Sequence, residues 1–198
     1  MIDRRSLIRS GSAAGFGALA LAAVNSGTEL AYGSTTDGPT SGFGSGQPGY
    51  PANLSPQERR QLRIFDELDF EVFTGQKWDR LGESHARNIR VHHPDGHFTD
   101  GIDKHIEDLA WFFLWAPDTR ILEHPLRVAT NQLTAVTSVM KGTFTKPMPN
   151  GKGGFIKPTG KAYEILMATV GIWNRHNTMD EEYLFWDNQS FNAQIGLD

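Results

Sequence analysis

The segment 92–97, running His92, His93, Pro94, Asp95, Gly96 and His97, places three of the chain's seven histidines within six residues. Imidazole changes charge near neutrality, so a histidine here can carry protons at working pH without a large shift in its pKa. Pro94 and Gly96 keep the segment from being helical. If it is extended, residues 93, 95 and 97 share one side, and His93, Asp95 and His97 offer ligand types suited to a transition metal, with His92 beside them. Such an ion needs three or four converging ligands, whereas adjacent residues of a strand point apart, so no metal is expected. The chemistry to look for is acid–base, with His93 and Asp95 as candidates. The competing reading is a loop tied down by histidine hydrogen bonds to its own backbone.

The rest of the composition narrows the field. A net charge of −4 and a pI near 6.0 give no basic field for DNA or RNA, so no nucleic-acid partner is expected. Cysteine is absent, which removes thiolate nucleophiles, iron–sulfur clusters, thiolate zinc sites and disulfides. No P-loop or dinucleotide fingerprint occurs. Gly151, Gly153 and Gly154 sit in a Pro-rich loop that does not lead from a strand into a helix. No cofactor is expected.

The 198 residues suit one domain plus appendages. Residues 1–31 read as a twin-arginine signal peptide. Arg4 and Arg5 lie in the n-region, and a weakly apolar Ala/Gly-rich stretch from 11 to 24 follows, too short to span a bilayer. This reading implies the twin-arginine translocase as a partner during export, a periplasmic or secreted location, and no membrane attachment after cleavage. Residues 32–53 are rich in Gly, Ser, Thr and Pro and read as a disordered linker. The folded domain is 54–198.

That domain opens on Ser55, Pro56 and Glu58, the pattern of a capping box with proline at the first helical position. Leu62, Phe65, Leu68 and Val72 then form one apolar stripe, and Thr74 and Gly75 end the helix. A shorter helix is expected over 77–85, followed by a β-prone segment at 88–92. A third helix is expected over 102–115, capped by Asp100 and ended by Pro117. Strands are expected at 121–129, 133–145, 162–174 and 179–186, with a loop over 147–160 and a last short helix capped by Asn188. The strand at 162–174 is apolar on both faces, so both faces are expected to be covered.

Three helices, a meander of strands and a terminal helical turn resemble the nuclear transport factor 2-like cone fold. The local motifs are similar to those of its SnoaL-like polyketide cyclase branch, also called ester cyclase-like. They are His93-Pro94-Asp95-Gly96, Pro158-Thr159-Gly160-Lys161, Glu181 to Asn188, and the closing Gln194-Ile195-Gly196-Leu197. The resemblance implies an α+β fold in which three N-terminal helices pack on a strongly curved, mainly antiparallel sheet. It also implies a hydrophobic small molecule held inside the cone and, as a further partner, a second copy in a homodimer.

The family's cyclases carry an acidic acid/base residue three positions before the Asp that ends the last strand. That Asp matches Asp187, so the position falls on Leu184. Glu182 shares the face of Leu184, which the resemblance directs into the cone, and is the carboxylate available to act instead. Its alternative is a strand carboxylate at the rim; Glu164, near a strand start, is expected to face solvent. His93 matches the histidine that relatives place at the cone mouth. Trp111, Trp115, Tyr163, Leu184 and Trp186 are the expected ligand-binding residues. Two readings stay open: a proton-transfer enzyme (cyclase, isomerase, hydratase or dehydratase) using His93, Glu182 and Asp95, or a non-catalytic protein binding an apolar ligand in the same cone.

Overall fold

The computed structural model describes residues 48–197, and no helix among them is long and apolar enough to cross a membrane. The twin-arginine segment and the linker up to residue 47 lie outside the described residues. The last linker residues are held in place. Tyr50 donates a hydrogen bond to Asp66 (2.7 Å), and Pro48 offers its carbonyl to Arg127 (3.1 Å).

Helix α1 (Pro56–Glu67) starts at the capping box read from the sequence. The Glu58 N–H reaches Ser55 Oγ at 3.2 Å, and the Ser55 N–H reaches Glu58 Oε2 at 2.7 Å. It buries Gln61, Leu62 and Phe65 and then widens into a π-helical segment, Leu68–Phe73. The expected second helix is a single 3₁₀ segment, Trp78–Glu83. Two strands intervene before the next α-helix: β1 (His85–His92) and β2 (Phe98–Asp100), joined through the histidine turn, where Gly96 takes φ 88°. Helix α2 (Ile102–Trp115) begins after Gly101 rather than at Asp100. Gly101 adopts φ 91°, which disfavours any residue with a Cβ, and Asp100 is turned away to pair with Arg90 at 2.7 Å.

Strands β3 (Arg120–Ile121), β4 (Leu126–Thr130), β5 (Leu133–Thr143), β8 (Ala162–Trp173) and β9 (Met179–Phe185) join β1 and β2 in one seven-stranded sheet. The 147–160 loop contains a separate two-stranded hairpin, β6 (Met148–Pro149) with β7 (Phe155–Ile156). The expected strand at 121–129 is broken between β3 and β4. Pro125 has no N–H to give a ladder, and the side chain of His124 turns into the interior. The sheet runs β2-β1-β9-β8-β5-β3, with β4 also on β5; every pairing is antiparallel except β1 with β9. Helix α3 (Asn188–Ile195) is capped by Asp187, not Asn188: its carboxylate accepts from the N–H groups of Gln189 (2.9 Å) and Ser190 (3.2 Å).

All three α-helices pack on the concave face. Leu62 and Phe65 of α1 join Ile89, Val91, Val136 and Trp173 in one apolar cluster. Phe113 and Trp115 of α2 and Phe191 and Ile195 of α3 join Tyr163, Ile165 and Met167 in the other. The convex face is therefore not covered as expected: Leu166 is 48% exposed, with Leu126 and Phe185 also open to solvent.

Candidate active site

Between α2 and the concave face lies a cavity of 560 Å³, lined by apolar side chains such as Leu109, Trp111, Met167 and Leu184 together with a few titratable groups. Its polar floor comes from three separate elements. Glu182 projects inward from β9, because the period of two that sends Tyr183 outward sends 182 and 184 in. His85 stands at the start of β1, and His105 in the first turn of α2 on its buried side.

All three are buried: His85 is 2%, His105 2% and Glu182 4% exposed. Glu182 Oε2 lies 3.4 Å from His105 Nε2 and 3.6 Å from His85 Nε2. It has no hydrogen-bond partner among the described residues, and neither does His85 Nε2 or His105 Nδ1. Ser84 fixes His85 from behind. Its Oγ lies 3.1 Å from the carbonyl of Leu81 and 2.8 Å from His85 Nδ1. With the single hydroxyl proton given to Leu81, Nδ1 is the donor to Ser84, and Nε2 is the ring nitrogen that faces Glu182. Burial, reinforced by the neighbouring charges of His85 and His93, pushes the His105 pKa well below the ordinary histidine value, so this imidazole is neutral.

The mouth of the cavity holds the segment singled out in the sequence. His93 stacks on His97 (4.2 Å between ring centroids), with Thr99 Oγ1 at 3.4 Å and Asp108 Oδ2 at 3.7 Å from Nε2. Burial and the charge of His97 lower its pKa, while Asp108, Asp95 and Glu182 oppose them. Asp95 is bound to His97 and to the backbone of the turn, so its carboxylate organises the mouth. His92 faces the other side of the strand, stacked on Tyr183 at 4.1 Å.

No protein-family model matches the sequence, and no curated protein matches it. Solved structures do. A candidate SnoaL-like polyketide cyclase from Jannaschia sp. CCS1 superposes with a TM-score of 0.65 at 16% identity over 75% of this chain and 99% of that one. The fold is the nuclear transport factor 2-like cone. IdmH, a candidate polyketide cyclase from Streptomyces antibioticus, shares the cone with a TM-score of 0.59 at 21% identity over 69% of this chain and 99% of its own. A Catenulispora acidiphila protein with the ketosteroid isomerase-like fold, solved with trimethylamine, matches with a TM-score of 0.55 at 15% identity over 73% and 96%. At these identities the likeness is one of fold.

Within the cone, His93, Asp95, Trp111, Glu182, Leu184 and Trp186 all line the cavity. Trp115 and Tyr163 do not. Trp115 lies one helical turn beyond Trp111, fully buried against Phe144 and Phe191, and the Tyr163 hydroxyl is 2.7 Å from Thr119 Oγ1 inside the core. Glu164 is exposed, as expected for a residue at a strand start. The floor histidines were not singled out from the sequence. His105 did leave a signal, since it falls one turn before Leu109 on the inward side of an amphipathic helix, where an uncompensated polar residue is unusual. His85 left none, because its position depends on β1 lying parallel to β9.

Proposed function

We propose that this is an exported, SnoaL-like proton-transfer enzyme of the cyclase, isomerase or hydratase/dehydratase type, acting on a hydrophobic small molecule inside the cone. The observation that carries the reading is the Glu182 carboxylate, 4% exposed and facing an apolar cavity from between two imidazoles. A carboxylate held away from water beside groups that give and accept protons can remove a proton next to a carbonyl and return it elsewhere. Trp111, Leu184 and Trp186 would hold the apolar body of the substrate, and His93 at the mouth would handle protons arriving from solvent. Leu184, standing where the resemblance implies an acidic residue, favours the second reading, a non-catalytic carrier of an apolar ligand.

An apolar cyclic ketone such as 2-decalone in D₂O separates the two by proton NMR. The enzyme accelerates exchange of the α-hydrogens, and Glu182→Gln loses about 10²–10⁴-fold of that acceleration while still binding the ketone. Saturable ketone binding by the native protein without faster exchange overturns the enzymatic reading.

A further inference from the structure

We propose that His85, His105 and Glu182 form a binding site for one first-row divalent metal ion, with its remaining coordination positions open to the cavity. The inference does not rest on the proton-transfer reading and departs from the expectation that no metal is bound.

The ligand atoms converge from three elements distant in sequence. Oε2 of Glu182 is 3.4 Å from His105 Nε2 and 3.6 Å from His85 Nε2, and all three ligand atoms lie within 4.8 Å of one another. Bonds of about 2.0–2.1 Å from zinc to nitrogen or oxygen place two ligands of a tetrahedral ion about 3.3–3.4 Å apart. The 3.4 Å separation matches that edge, and the 3.6 Å one is slightly wider. They do not match a proton shared directly between the same groups, which would draw nitrogen and oxygen to roughly 2.7–2.9 Å.

The lone-pair arrangement points the same way. Ser84 gives its proton to Leu81 and takes that of His85 Nδ1, so in the neutral ring that ligates a metal His85 presents its Nε2 lone pair toward Glu182 Oε2. Both atoms are buried and without a hydrogen-bond partner among the described residues. A cation between that lone pair and the carboxylate oxygen would satisfy both atoms. An imidazole whose far nitrogen is fixed by a neighbouring hydroxyl is the arrangement that orients histidine ligands in metal sites. His93, Asp95 and His97, which suggested ligands in the sequence, instead bind one another at the mouth.

The donor set defines the ion. Two imidazoles and one carboxylate, with no thiolate in the chain, suit zinc, ferrous iron, cobalt or nickel better than magnesium or calcium, which prefer all-oxygen sites. Three protein ligands beside an open cavity are the pattern of a reactive centre rather than a closed structural one. With the ion in place, Glu182 would serve as a ligand, and the ion would supply a Lewis acid with open positions toward the cavity.

The test is a titration of the chelator-treated full chain with Co(II), followed by visible absorption and then displacement by Zn(II). The first 47 residues contain no histidine or cysteine, so they add no competing imidazole or thiolate ligand. One equivalent is expected to bind with the d–d bands of a low-coordinate nitrogen/oxygen site. Glu182→Gln and His105→Asn should lose that equivalent, Ser84→Ala should weaken it about 10–100-fold, and His176→Asn should keep it. In the native protein the bound Co(II) should shift the imidazole proton resonances of His85 and His105 furthest, a readout that needs no variant to fold. Failure to bind one equivalent, unchanged affinity in Glu182→Gln and His105→Asn, or paramagnetic shifts centred on His93 and His97 would overturn the site. Ketone exchange measured in the presence of chelator is read separately, so loss of the metal site and loss of catalysis are distinguishable.

Discussion

Raising the pH above 6.5 should destabilise this protein through one residue, His124. Its side chain is fully buried, with Nδ1 2.7 Å from Asp66 Oδ1 and Nε2 2.8 Å from Asp69 Oδ2. Both ring nitrogens face carboxylate oxygens, so both must donate, and the ring must be the imidazolium. Arg127 Nε also reaches Asp66 at 2.7 Å, and Ser138 Oγ donates to Asp69 at 2.8 Å, so two carboxylates are balanced by two cations. Burial alone would hold the His124 pKa below its ordinary value, but hydrogen bonds and charge from Asp66 and Asp69 outweigh it and raise the pKa above 6.5. A raised histidine contributes stability that is fully present below the unfolded value and is lost as pH climbs through the folded one.

In that window the native state binds one proton more than the unfolded chain, so the free energy of unfolding should fall by up to about 1.4 kcal/mol per pH unit. His93 and His105 do not blur the slope. Their pKa values are lowered, so their contributions change below 6.5, where stability is lost as pH falls. Tyr50, pushed up to about 12 chiefly by burial and then by Asp66, acts only above 10. The assay is urea unfolding followed by tryptophan fluorescence at half-unit steps from pH 6 to 9. His124→Gln should be destabilised by roughly 3–5 kcal/mol at pH 6, because it strips a buried charge network of one member, and should lose the alkaline slope. A flat native profile above pH 6.5, or the same slope in His124→Gln, would refute the doubly protonated assignment.

Four other outcomes follow from the packing and the sequence. Trp115→Ala should cost roughly 3–5 kcal/mol of stability, whereas Trp111→Ala should change stability by roughly 1 kcal/mol and mainly weaken binding of apolar probes, measured by melting and ligand titration. Gly142→Ala should destabilise by about 1–3 kcal/mol, because a Cβ there would sit 2.5 Å from the Tyr163 hydroxyl; its melting curve checks this. Leu126, Thr137, Ala168 and Phe185 stand in register across β4, β5, β8 and β9 on the convex face. A second copy should cover that face, so sedimentation should give a dimer for the native chain and a monomer for Leu166→Glu. Replacing Arg4 and Arg5 by Lys should block export, read as loss of the protein from the periplasmic fraction.

The cone could be anticipated because its elements are written in local patterns. The Ser55 capping box, the apolar stripe from Leu62 to Val72, the aromatic-rich helix ending before Pro117 and the alternation along β8 and β9 each need only neighbours in the chain to be read. The misreadings came where a distant group competed. Asp100 left its capping position for Arg90, the strand through His124 broke to bring that ring to Asp66 and Asp69, and Trp115 went to the core because Phe144 and Phe191 close around the end of α2.

The site divides in the same way. By itself the sequence determined the mouth, since His93, Asp95 and His97 are neighbours in one turn, and it set Glu182 on the face of Leu184 through the period of a strand. Only the tertiary structure decided the floor. His85, His105 and Glu182 lie on β1, α2 and β9, and they meet because β1 runs parallel to β9 while α2 packs against β1. No spacing along the chain encodes that meeting. The buried carboxylate facing two imidazoles is a product of packing, and the apolar walls beside it keep those three groups from solvent.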